Sequence, residues 1–461
     1  MNSLHIWVKD KEISRKEFLK ILTLAGLGIS LPFPLAKRAH ASPPPNASNP
    51  QPFWVIIHAG GGWDPTSICD PKGGLVNHFP GGVNVNGFSL APPPGGWIGT
   101  NVGLDHILFQ SYPNYIRVIN GIDTTTNNHD TGPIYVWSGK ISQGHPTFGA
   151  LIAAIYGASR PLAFINYGGY SYTAGVMGTT QINSLAQIRA LAEPNVISGN
   201  DRYFTPETLN RINQFRAQRV ARLINEQKLP SIKEALTALQ QAQINASQLD
   251  QFIAHADYLT SRVTVGNPNY NAAFAQAYNN TGNLYGPLPR QFAIAFAAYN
   301  AGLCASANLS IGGFDTHDNH DNTQMPAVNR IMRSVKFMLD EAMAAYGNLN
   351  KIMIAVGSDF GRTNRYNGAN GKDHWPITSM IFAGGLLSTR SGVTGGTDSD
   401  HKPNPAMSPV PGRIIKPSHV HWSLRRLAGI ENAVIPALGL TVKQAFPTVS
   451  DSEGMPMFGD V

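Results

Sequence analysis

Short apolar, β-branched runs constrain this chain most. Phe53-Trp54-Val55-Ile56-Ile57-His58, Ile116 to Asn120, Pro161 to Tyr167, Lys351 to Val356 and Ser379 to Ala383 each have the length and composition of a strand. Between them lie patterns of helical period, at Phe148 to Tyr156, Arg290 to Ala305 and Met325 to Tyr346. Strands alternating with helices predict an α/β fold with a mostly parallel sheet flanked by helices.

The runs end alike. Phe53–His58 is followed by three glycines and then Asp64, and Lys351–Val356 by Gly357-Ser358-Asp359-Phe360-Gly361-Arg362-Thr363. The apolar stretch from Ala293 to Ile311 opens into Gly312-Gly313-Phe314-Asp315-Thr316-His317-Asp318-Asn319-His320-Asp321. Gly371-Lys372-Asp373-His374-Trp375-Pro376 precedes the strand at Ser379. Carboxylates and imidazoles gathered at one sheet edge offer the oxygen and nitrogen donors that a divalent cation takes. The carboxyl edge is also where open α/β sheets bind ligands. Taken singly, each loop fits a polar turn satisfying its own backbone, and Asp64 fits an Asx turn as well as a ligand. Arg362 suits either a phosphate or carboxylate fork or a salt bridge pinning its loop. After the second strand, His129-Asp130-Thr131-Gly132-Pro133 reads as a helix start, where backbone N–H groups favour an anion. An ordinary N-cap by Asp130 or Thr131 fits the same residues.

Composition narrows the class. With 46 glycines, 33 prolines and 14% charged residues in 461, the chain suits a loop-rich globular enzyme. Residues 1–41 hold seven Lys/Arg and three Asp/Glu, so the formal charge falls from +7 to +3 beyond them. No basic block remains, and nucleic acid is not an expected partner. Cys69 and Cys304 are too few for a disulfide framework.

The first 41 residues read as an export signal. Ser14-Arg15-Lys16-Glu17-Phe18-Leu19-Lys20 resembles the twin-arginine motif with Lys16 at the second arginine, and the general secretory route stays open. An apolar stretch to Ala36 follows, then the small-x-small pattern Ala39-His40-Ala41. Two prolines and short length argue against a spanning helix, so no transmembrane segment is expected in the mature chain, whose location would be periplasmic or secreted. Residues 42–52 read as a tether, 53–461 as the folded domain, and 206–263 as a two-helix insertion on its core.

The opening strand with Gly62-Trp63-Asp64, the Asp315 and His317 loop, the Asp359 to Arg362 loop and Asp373-His374-Trp375 together resemble the family called domain of unknown function 1501, over most of the mature chain. That family is similar to the alkaline phosphatase and sulfatase superfamily, whose members hold one or two metals at the carboxyl edge of a mixed sheet. The resemblance implies an alkaline-phosphatase-like sheet and a divalent metal (Zn, Mn or Ca) held by Asp64, Asp315, His317, Asp359 and His374. Phe360 stands where the superfamily has a histidine. The resemblance places the superfamily's nucleophile near His129 to Thr131, where no sulfatase signature is present, and so implies Thr131 as the hydroxyl, with His129 nearby as base or ligand and Arg362 steadying charge. The function implied is an exported metal-dependent hydrolase of phosphate, sulfate or related esters, acting on a small anionic substrate. The alternative is a non-catalytic envelope binding or assembly protein that keeps a partial metal site.

Overall fold

A computed structural model describes residues 51–96, 102–182, 195–198, 201–230, 251–256 and 287–459, with short pieces elsewhere. The expected signal and tether lie outside the described residues, apart from 6–8, 11–13, 51 and 52.

Seven strands form the central sheet: β1 (Phe53–Ala59), β2 (Ile116–Asp123), β3 (Phe164–Asn166), β4 (Ser306–Ile311), β5 (Ile352–Ser358), β6 (Ile377–Gly384) and β7 (Gly392–Gly395). Their spatial order is β7-β2-β6-β5-β1-β4-β3. Six run parallel, and β6 alone runs antiparallel to its neighbours β5 and β2.

Every residue of β1 is buried because the sheet is covered on both faces, as parallel sheets require. Strand alternation divides its side chains. Phe53, Val55 and Ile57 enter one apolar cluster with Ile352, Ile354 and Val356 of β5. Trp54 and Ile56 enter the other with Met353 and Ala355. The first face is roofed by α4 (Leu288–Asn300) and α5 (His320–Tyr346), the second by α1 (Thr131–Ser138), α2 (Phe148–Tyr156) and α6 (Pro417–Leu427). Each large apolar side chain fully buried there contributes about 1.5–3 kcal/mol.

Some expected boundaries move. The strand expected over Pro161–Tyr167 shortens to Phe164–Asn166, and the irregular stretch 71–103 contains a hairpin, Val83–Val85 with Phe88–Leu90. Helix α5 begins at His320, not Met325, and carries Pro326 in its first turns. In the expected insertion, α3 (Pro206–Glu226) buries none of its residues. Phe252, Ile253 and Ala256, from the second expected helix, do join the core.

The topology positions the site. Ala59 of β1 pairs with Ile311 of β4 and Ser358 of β5, so these three strands end level. Because β6 runs the other way, its entry at Ile377 sits beside Asp123 at the exit of β2. The segment leading into β6 therefore reaches the same edge as the loops leaving β1, β2, β4 and β5.

Candidate metal centre

Asp315 and His317 leave β4 toward solvent, His129 follows β2, and His374 lies on the segment entering β6. Donor atoms of His129, Asp315 and His374 all fall within 4.8 Å of one another. His317 adjoins two of these three. Its Nε2 lies 3.0 Å from Asp315 Oδ1 and 3.1 Å from His374 Nε2. His374 Nε2 lies 3.2 Å from the same Oδ1, and His129 Nε2 3.7 Å from Oδ2. Donors about 2.0–2.2 Å from one tetrahedral cation stand roughly 3.3 Å apart, so the spacing suits a shared ion.

The hydrogens point the same way. His129 Nδ1 donates to Asp359 Oδ2 at 2.6 Å, His317 Nδ1 to Asp373 Oδ1 at 2.8 Å, and His374 Nδ1 to the Asn127 carbonyl at 2.9 Å. Carboxylates and carbonyls only accept, so each neutral ring carries its hydrogen on Nδ1. Three Nε2 lone pairs then converge on a fourth acceptor, the Asp315 carboxylate. Without a positive charge between them these groups repel. Hydrogen-bonded support for each ring from outside the cluster is the arrangement that orients histidine ligands of metals.

Asp359 and Asp373 thus hold histidines of the cluster and stand outside it. Burial alone would raise the Asp359 pKa. Contacts from His58 and His129 and the Gly61 N–H override it and hold the carboxyl below its ordinary value. The hydrogen bond from His317 does the same for Asp373. At Asp315 burial is again opposed, chiefly by Arg362, and the carboxyl stays ionised more readily than usual.

Arg362 is fully buried. Its Nε donates to the Gly62 carbonyl at 2.8 Å, Nη1 to Lys372 O at 3.1 Å, and Nη2 to Gly61 O and to Asp315 Oδ1, the last at 2.7 Å. It pins three loops and aims Asp315; it does not face outward for a substrate. Gly61 makes the close approach feasible, with φ +119° and room so short that a Cβ would sit 2.5 Å from Asp315 N. Phe360 packs its ring 4.8 Å from that of His129 and 4.6 Å from that of His374. It forms an apolar wall.

Two expected site residues lie apart from the cluster. Asp64 is fully buried and its hydrogen bonds go elsewhere. It accepts from Lys372 Nζ at 2.7 Å, His320 Nε2 at 3.0 Å, and the Thr66 N–H and hydroxyl at 2.9 and 2.7 Å. Burial raises its pKa, but Lys372 and His320 hold it well below the usual range. An ammonium occupies the place a cation would take, and the Asx-turn reading holds as well, since Asp64 caps a short 3-10 turn, Pro65–Ser67. Thr131 opens α1, and its hydroxyl shares a 2.8 Å hydrogen bond with that of Thr126. The amides of Asp130 and Thr131 are taken by Asn128 Oδ1, and that of Gly132 by Asn128 O. The expected anion site at this helix start is filled by Asn128.

The Asp/His-rich loop therefore divides in two. Asn319, in the left-handed region at φ 41°, turns the chain. Asp315 and His317 face the centre, while His320 turns inward to Asp64 and Thr316. His58 was not expected at all. Its Nε2 stands 3.0 Å from Asp359 Oδ1, and its one sequence signal is an imidazole closing an apolar run before three glycines.

A family model described as "Protein of unknown function (DUF1501)" matches residues 54–413. The chain belongs to this family. A search of curated proteins finds no match to it. Among solved structures, this DUF1501 chain is similar to a 2-O GAG sulfatase (11% identity, TM-score 0.30, covering 88% of this chain and 76% of that one). It is similar too to the alkaline phosphatase from the Antarctic bacterium TAB5 (9%, 0.29, 74% and 94%) and the phosphonate monoester hydrolase of Agrobacterium radiobacter (10%, 0.31, 88% and 79%). These likenesses are remote, and the chemistry of the DUF1501 site is read from its own side chains. Among the described residues no helix is long and apolar enough to cross a membrane.

Proposed function

We propose that this DUF1501 protein is an exported, divalent-metal-dependent hydrolase of phosphate, sulfate or related anionic esters, hydrolysed by water. The observation that carries the metal reading is the convergence of three Nε2 lone pairs on Asp315, each ring having its Nδ1 hydrogen bonded to an oxygen acceptor. Three imidazoles with one carboxylate suit zinc, or manganese or iron of higher coordination number, better than calcium, which takes oxygen ligands. A cation held by His129, Asp315, His317 and His374 supplies Lewis-acid polarisation of an ester oxygen and neutralises charge that develops on it.

The residues themselves do the remaining work. Asp315 is aimed by Arg362, and Phe360 keeps water from one side of the imidazoles. The side chains of His129, Asp315 and His317 are 40–49% exposed, which suits a site open to substrate more than a sealed structural one. Thr131 has no imidazole or carboxylate on its hydroxyl to take a proton, which favours direct hydrolysis by water over a threonine nucleophile. Export, to the periplasm or beyond, rests on the leader sequence alone.

That Thr131 has no base on its hydroxyl also favours a second reading, a binding or envelope-assembly protein that holds metal without turnover. Elemental analysis of the chain purified without chelator, beside Asp315→Ala, tests the metal. Near-stoichiometric zinc, manganese or iron that disappears in the variant is expected. Aryl phosphate and aryl sulfate esters then separate the two readings, since turnover lost in Asp315→Ala supports the hydrolase. A folded protein without metal in either form would overturn both.

A further inference from the structure

His58, Trp137, Asp359 and His129 form a chain from the core to the cluster. Trp137 Nε1 lies 2.9 Å from His58 Nδ1. An indole nitrogen only donates, so His58 Nδ1 accepts and the neutral ring carries its hydrogen on Nε2. That nitrogen stands 3.0 Å from Asp359 Oδ1. The approach is bent, since Oδ1 lacks a well-aligned donor, so the pair is a close electrostatic contact more than a linear hydrogen bond. The other oxygen of Asp359 accepts from His129 Nδ1 at 2.6 Å and from the Gly61 N–H at 3.1 Å.

The rings have little freedom to move. His58, Trp137 and Asp359 are 8%, 1% and 3% exposed. A Cβ on Gly169 would fall 2.8 Å from His58 Cβ, and one on Gly357 3.2 Å from the Trp137 ring. Backbone thus walls both side chains where a larger residue would displace them.

We propose that His58 is a positioning residue for the centre: through Asp359 it holds His129 with the Nε2 lone pair toward Asp315, and Trp137 fixes the tautomer that lets it do so. This rests on the metal reading above. A buried histidine that merely satisfies a tryptophan would leave metal affinity alone, and this difference is measurable. Partners that orient a liganding histidine typically matter 10–100-fold for metal affinity.

The test is a competition titration of zinc against a chromogenic chelator, with melting temperatures taken alongside, on wild type, His58→Phe, His58→Gln and Asp359→Asn. His58→Phe keeps a ring but removes the polar contact and is expected to bind zinc about 10–100-fold more weakly. His58→Gln retains an N–H donor and should recover much of that loss. Asp359→Asn loses the carboxylate charge, and its amide oxygen can keep the His129 Nδ1 and Gly61 N–H hydrogens only by turning its own N–H against that on His58 Nε2, so its loss should equal or exceed that of His58→Phe. Cobalt(II) in place of zinc reports the same changes in its visible absorption. Unchanged affinity in folded His58→Phe, with only the melting temperature lowered, would overturn the proposal. Should His58→Phe fail to fold, wild-type affinity in Asp359→Asn would overturn it equally. Wild type that binds no zinc or cobalt would instead overturn the metal reading itself.

Discussion

The Nε2 atoms of His317 and His374 stand 3.1 Å apart, and each ring has its Nδ1 hydrogen bonded elsewhere, to Asp373 and to the Asn127 carbonyl. Two lone pairs at that distance repel unless a proton or a cation lies between them. Adding zinc or manganese to chelator-treated protein should raise its melting temperature. At metal 100 times its Kd the gain is about 2.7 kcal/mol. Thermal denaturation with and without metal measures it, and an unmoved melting temperature would sink the shared-ion reading.

Asp315 and Asp64 should fail in different ways. Asp315→Asn removes charge from a half-exposed cluster and loses metal, and it destabilises less, because buried Arg362 gives up its carboxylate partner but keeps the Gly61, Gly62 and Lys372 carbonyls. Asp64→Asn leaves the fully buried Lys372 ammonium without its counter-charge, at a cost of about 3–5 kcal/mol. Adding Lys372→Met to Asp64→Asn should recover part of that stability. Denaturant titration of the three variants checks the contrast, and equal destabilisation by Asp315→Asn and Asp64→Asn would contradict it.

Much of this architecture is legible in the sequence. The strand runs are buried on both faces, so local composition reports them well, and Asp315, His317 and His374 stand out by residue type in their loops. Asp64 looked like their equal because it also follows a strand. What removes it from the cluster is Lys372, a partner 308 residues away that no local pattern reveals. Asp359 and Asp373 are ambiguous for another reason. A carboxylate that binds a cation and one that orients the histidine beside it differ only in which way the side chain faces. His58 went unread because, within an apolar run, it fits a strand interior as well as a site.

Acid should destabilise the protein in two stages. Burial pushes His401 down to about 4 and His421 to about 3, and lowers His320 as well. In the unfolded chain these rings take protons below about pH 6.5, so stability falls as pH drops from there toward the folded values. For a ring lowered to about 4 the loss is ~3 kcal/mol once pH reaches 4. Asp64 adds the second stage. Its folded pKa is depressed, so its contribution is whole above about pH 4 and disappears as pH falls through the folded value. Stability measured from pH 7 to pH 3 on metal-free protein should decline below 6.5 and go on declining below 4, where Asp64 takes over as His401 protonates in the folded state too. A flat curve between 6.5 and 4.5 would contradict the buried neutral histidines.

Gly132 gives the sharpest steric test of how the loops support one another. It lies in the first turn of α1, where alanine ordinarily stabilises a helix by about 0.5–1 kcal/mol relative to glycine. Here a Cβ would sit 2.3 Å from the Asp359 carbonyl oxygen, backbone that cannot swing aside as a side chain does. Gly132→Ala should therefore destabilise by roughly 1–3 kcal/mol. It should also weaken metal binding, because the displaced segment carries the carboxylate that holds His129. Gly178→Ala is the control, since nothing lies within 4 Å of its Cβ position, and both readouts should stay near wild type. Were Gly132→Ala to bind metal normally while losing stability, the Asp359 carboxylate would not be what orients His129.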